Sequence, residues 1–235
     1  GEYFASAGSG FHARIWDFAT RQQVSELYSG QEVHDVAFSP DGEQLVAGIK
    51  NERTVLWDWK AEEQIGEFTK ENGGHTEWGP QRVSFHPDGS GFATGASDYS
   101  VRIWEIGQPE AARAIQTNKV AYPNVWGVAY HPAGRYLATG GLNVELALWD
   151  SEKDYEKVNS WPVSADTMIR DIAWFADGVH LAVALDDGTV HIHELPEAAE
   201  RSVLFRLAEE RATRKLTRSE CELFYIDLDS EMCRN

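Results

Sequence analysis

The chain has 235 residues, 42% of them hydrophobic, with nine tryptophans and a formal charge of −17. That apolar content suffices for a continuous interior and sets aside disorder. The acidic excess argues against general binding to nucleic acid, whose phosphates need Lys and Arg facing them, and no apolar run reaches the length that spans a bilayer.

The first predicted strand carries the small residues Ala5 and Ser6, and a turn at Gly10 leads to the alternating strand Ala13-Arg14-Ile15-Trp16-Asp17. A second unit opens with a strand over Val33 to Phe38 and turns at Pro40-Asp41-Gly42. It continues through Ala47-Gly48, the turn residue Asn51 and Thr54-Val55-Leu56-Trp57-Asp58, and ends in an outer strand over Gln64 to Phe68. Pro presets φ, Asp bonds its own backbone and Gly accepts positive φ, so each Pro-Asp-Gly reads as a turn. The third unit repeats the pattern with Phe85-His86-Pro87-Asp88-Gly89, Phe92-Ala93-Thr94-Gly95, Asp98 and Val101-Arg102-Ile103-Trp104-Glu105. The fourth has Tyr130-His131-Pro132-Ala133-Gly134, Asn143 and Leu146-Ala147-Leu148-Trp149-Asp150. A worn fifth has Trp174-Phe175-Ala176-Asp177-Gly178, Asp187 and Val190-His191-Ile192-His193-Glu194.

The strand-ending positions Trp16, Trp57, Trp104, Trp149 and His193 are 41, 47, 45 and 44 residues apart, and the turns at Gly10, Asn51, Asp98, Asn143 and Asp187 keep the same intervals. A repeat of this length is one small sheet that cannot bury its faces alone, so the period predicts radially stacked four-stranded antiparallel sheets. The aromatic, Pro-Asp-Gly and Trp-Asp segments resemble the WD-repeat β-propellers over roughly residues 1 to 205. The resemblance implies an all-β propeller of about five blades, as a partial or open ring. The opening Gly-His pair of that family is read as absent throughout, and the fifth repeat has lost its Trp. The first interval places Gly1 at a turn glycine, so the first blade is expected to lack its innermost strand and an N-terminal region to be missing. A five-bladed ring completed by the C-terminal segment is the alternative.

Residues 206–235 are expected to form a helical C-terminal tail. Leu204, Leu207, Ala208 and Ala212 lie on one face of a predicted helix reaching Lys215, and Thr217-Arg218-Ser219-Glu220 reads as a capping box opening a second helix. The segment Arg211 through Tyr225 and Cys233 resembles the ending found after the WD-repeat regions of bacterial signalling proteins. That resemblance implies a covalently linked N-terminal effector module and a cytoplasmic location. Relatives often keep both Cys221 and Cys233, which implies a disulfide, whereas two lone thiols in a cytosolic protein are more often reduced. Arg211, Arg214, Lys215 and Arg218 make the one compact basic cluster, which leaves a nucleic-acid role for the tail as a minor reading.

No phosphate loop, nucleophile elbow or isolated carboxylate pair is present, so an enzyme, a cofactor and a metal are not expected. His191 and His193 alternate on one strand as metal ligands would, but their repeat positions already account for both. Binding is the positive expectation. His34, Gln81, Trp126 and Arg170 stand four residues before each turn aromatic, at the start of the innermost strands, and the extra loop from Glu71 to Gly79 brings Trp78 beside them. The resemblance implies a protein or peptide partner at this mouth of the propeller, where exposed Trp and Arg suit binding hot spots. No nucleic-acid or membrane partner is expected. The competing reading is a propeller enzyme or small-ligand sensor using the central channel.

Overall fold

The computed structural model describes residues 1–75, 79–107, 113–116, 124–142, 145–163 and 167–195, which form five antiparallel sheets in chain order. The first joins β1 (Tyr3–Ser6), β2 (His12–Asp17) and β3 (Gln23–Tyr28). The second joins β4 (Val33–Phe38), β5 (Gln44–Ile49), β6 (Arg53–Asp58) and β7 (Glu63–Phe68). The third has β8 (Pro80–Phe85), β9 (Gly91–Ala96), β10 (Ser100–Glu105) and β11 (Arg113–Gln116). The fourth has β12 (Val125–Tyr130), β13 (Tyr136–Gly141), β14 (Glu145–Asp150) and β15 (Glu156–Pro162), and the fifth β16 (Ile169–Trp174), β17 (His180–Leu185) and β18 (Val190–Glu194). The helical tail expected over 206–235, with Cys221 and Cys233, lies outside the described residues.

Each turn glycine does what its motif requires. Gly42 sits at φ 74, a region closed to most side chains, while Asp41 accepts from Ser39 Oγ at 2.5 Å and from the Glu43 amide at 3.0 Å. The innermost strands β4, β8, β12 and β16 lie side by side in sequence, so the sheets stack as blades of a partial propeller.

The tryptophan ladder marks equivalent places. Trp57 packs with Ala13 and Ile15 of the first sheet, Trp104 with Leu56 and Phe68 of the second, and Trp149 with Ile103 of the third. Each Trp thus faces the preceding sheet, and burying such a ring contributes on the order of 3 kcal/mol. Trp16 faces the flank that no described sheet covers; it stays half-buried and stacks on Phe4 at 6.2 Å. Three of these indoles donate Nε1–H to a hydroxyl on the neighbouring strand, each at 2.9 Å: Trp16 to Ser6, Trp104 to Thr94 and Trp149 to Thr139.

The structure corrects the reading that the Gly-His pair is absent, because Gly74-His75 is that pair. His75 is 1% exposed; its Nδ1 lies 2.9 Å from Asp98 Oδ1 and its Nε2 2.9 Å from Thr94 Oγ1. Ser100 Oγ donates to the same Asp98 oxygen at 2.7 Å. The Thr94 hydroxyl accepts from Trp104 and donates to Nε2, which leaves Nδ1–H to donate to the carboxylate. Gly74 precedes it for steric reasons: a Cβ there would stand 2.6 Å from the Thr69 carbonyl oxygen.

Candidate functional site

The four innermost strands share one irregularity. Pairing slips between Val33 and Asp35, between Pro80 and Arg82, between Val125 and Gly127, and between Ile169 and Asp171. The residue left out each time is His34, Gln81, Trp126 or Arg170. All four expected mouth residues therefore occupy the extra position of a β-bulge, a device that bends a strand and re-aims a side chain. Trp78 lies outside the described residues, as does the side chain of Gln81.

Neighbouring bulges touch. His34 Nδ1 bonds the Pro80 carbonyl at 3.1 Å, linking β4 to β8. The Arg170 guanidinium lies 4.2 Å from the centre of the Trp126 ring, and its Nε donates to Asp186 Oδ1 at 2.5 Å. This stack leaves Arg170 exposed and Trp126 half-buried, a flat cationic surface beside an indole.

The residue after each bulge forms a second layer that reading the sequence did not single out: Asp35, Arg82, Gly127 and Asp171. The Asp35 carboxylate accepts from the Val83 amide at 2.9 Å, tying β4 to β8. Arg82 reaches from the third sheet to the fifth, with Nε 3.4 Å from Asp171 Oδ1 and a donated bond to the Arg170 carbonyl at 3.2 Å. The strand between them carries Gly127 at the equivalent place, where a Cβ would stand 3.0 Å from the Ile172 side chain. A shared position in every inner strand was the available signal.

Burial beside this cluster pushes the Asp35 carboxyl up to about 6, against the pull of the Val83 amide and of Arg82, and the Asp171 carboxylate raises it further. Because its folded value lies above the ordinary 3.8, the protonated form favours the fold. That contribution is complete below pH 3.8 and is lost as pH rises through about 6. Asp35→Asn is expected to remove about 2 kcal/mol of the stability decline between pH 4 and pH 7. Denaturant midpoints at both pH values measure it, and a carboxyl titration by NMR locates the midpoint near 6.

His191 and His193 stand with ring centres 6.3 Å apart, and His193 keeps the Trp register with Nε2 buried and unbonded. The residue ten before it is Val183, where Thr139 and Thr94 supply hydroxyls to their tryptophans, so indole and hydroxyl are lost together. Among the described residues no three His, Cys, Asp or Glu side chains gather as metal ligands. No helix of these residues is long and apolar enough to cross a membrane.

Comparison with known proteins agrees with this geometry. A family model described as WD domain, G-beta repeat matches residues 21–58, 66–105, 116–150 and 156–194. Pre-mRNA-processing factor 17 of Homo sapiens is 27% identical over 108 residues, 45% of this chain and 18% of that protein. The small ribosomal subunit protein RACK1 of Candida albicans is 31% identical over 121 residues, 47% of this chain and 36% of that protein. The anaphase-promoting complex subunit cdh1 of Dictyostelium discoideum is 26% identical over 131 residues, 52% of this chain and 16% of that protein. The chain spans well under half the length of each. With repeat matches over more than half of its residues, indole ladder and blade stacking in phase, the chain belongs to the WD domain, G-beta repeat family.

Proposed function

We propose that this chain is a noncatalytic protein-interaction module whose partner, a protein or peptide, lies across the mouth displaying His34, Gln81, Trp126 and Arg170, with Trp78 in the adjoining loop. The observation that carries this reading is the bulge common to all four inner strands. It places four different residues at one register position where the surrounding framework repeats, and variable residues on a constant scaffold are how a binding surface is built. The names of the ribosomal subunit protein and the anaphase-promoting complex subunit describe components of assemblies, which supports the same role. The resemblance of the Arg211 to Cys233 segment to endings in bacterial signalling proteins supports a cytoplasmic scaffold or sensor within a larger protein of that kind. Partner binding would then position or gate a linked effector module.

The Trp126→Ala, Arg170→Ala double variant tests the surface. The stacked pair is expected to be a hot spot, so the variant should lose about 2 to 4 kcal/mol of partner affinity in a pull-down followed by calorimetry. A variant with wild-type thermal stability and undiminished capture removes this mouth from consideration.

A further inference from the structure

The joints between neighbouring sheets are built alike. Leu45 and its cross-strand partner Trp57 pack on Ala13 and Ile15 of the sheet before, and Phe92 and Trp104 pack on Val46 and Leu56. Leu137 and Trp149 pack on Val101 and Ile103, and Leu181, the partner of His193, packs on Leu146 and Leu148. Leu45, Phe92, Leu137 and Leu181 are all 0% exposed, and none of the residues beneath them exceeds 9%. Half of a further joint stands at each end of this stack. On the first sheet Phe4 and its partner Trp16 hold the covering positions, stacked on each other at 6.2 Å, yet Phe4 is 45% exposed. On the fifth sheet Val190 and Ile192 stand in the register of Ala13 and Ile15, beside Ala182, and are 60% and 53% exposed.

We infer that one copy of this chain binds another head to tail, the Phe4–Trp16 face of one on the Val190–Ile192 face of its neighbour, independently of the mouth proposed above. Each face presents one side of a contact that the molecule makes at every internal joint, an aromatic or leucine pair laid on aliphatic side chains. Exposed apolar area of this kind marks an association surface, and its removal from water drives the contact. The repeat itself matches the two faces to each other, which singles out a second copy as the occupant. The two patches differ, so the contact is heterologous rather than self-complementary. With five sheets in each copy, two copies exceed the roughly four to eight blades that close a propeller, so the contact continues from copy to copy instead of ending at a dimer. The chain's charge of −17 opposes association at low ionic strength, and salt that screens exposed charges beyond about 8 Å favours it.

Sedimentation velocity of the full chain at physiological salt tests this. The mean mass of the wild type is expected to climb with concentration without settling at one size. Ile192→Asp blocks one face and Phe4→Asp the other, each by setting a carboxylate against apolar side chains, and each variant alone should associate at least about tenfold more weakly. Each keeps one intact face, so an equimolar mixture of the two should form a dimer and stop there. Both positions are exposed, and thermal midpoints matching the wild type verify the folds. A wild type that stays monomeric, association undiminished in either variant, or a mixture without dimer overturns the assignment. The wild-type masses decide it without either variant.

Discussion

His75→Ala is expected to lower the unfolding free energy by about 3 kcal/mol, read as a shift of the denaturant midpoint at constant slope. The imidazole is buried and joins the Trp104–Thr94 pair to Asp98 and Ser100. Removing it opens a hole and takes a charge-assisted bond from a carboxylate that is only 5% exposed. Arg102 stands 3.7 Å from the other Asp98 oxygen, too far to replace that bond. The control is Ser6→Ala, which removes the matching hydroxyl partner of Trp16 on the open flank. That bond is exposed to water, and its loss should cost under about 1 kcal/mol. Equal costs at the two sites would show that the third sheet gains nothing from its extended network.

What could be read in advance follows from repetition. Each sheet must bury the same two flanks, so Trp57, Trp104 and Trp149 recur with the strand and signal the fold through spacing alone. The register positions His34, Gln81, Trp126 and Arg170 were read the same way; the bulges at them leave no separate mark in the chain. Features built once escaped that logic. Gly74-His75 has no counterpart in the other units, and its role emerges only where β9, β10 and the turn at Asp98 converge. Arg82 and Asp171 are far apart in the chain, and their meeting is a relation that no local pattern encodes.

Gly95→Val should be still more damaging, costing about 3 kcal/mol or more and lowering soluble yield. A Cβ at Gly95 would stand 2.5 Å from a Val128 methyl, 2.8 Å from a Val125 methyl and 3.1 Å from the Val125 carbonyl oxygen. Those valines belong to the closed core between the third and fourth sheets, so the new side chain forces two blades apart. Gly140 meets the same constraint against Ile169, at 2.8 Å, and Gly48 against the Pro80 carbonyl oxygen, at 2.9 Å. Small residues thus recur in the second strand of each blade because the next inner strand lies directly on them. The fifth sheet supplies the comparison: its equivalent residue is Ala184, partly exposed, with no described strand laid over it. Ala184→Val should therefore change stability by less than about 0.5 kcal/mol. If crowding is the cause, Val128→Ala should return part of what Gly95→Ala loses, giving a favourable coupling of about 1 kcal/mol in a double-mutant cycle. Strict additivity would place the cost of Gly95→Ala in its own backbone instead, and would remove blade-to-blade contact as the reason for small residues along this strand.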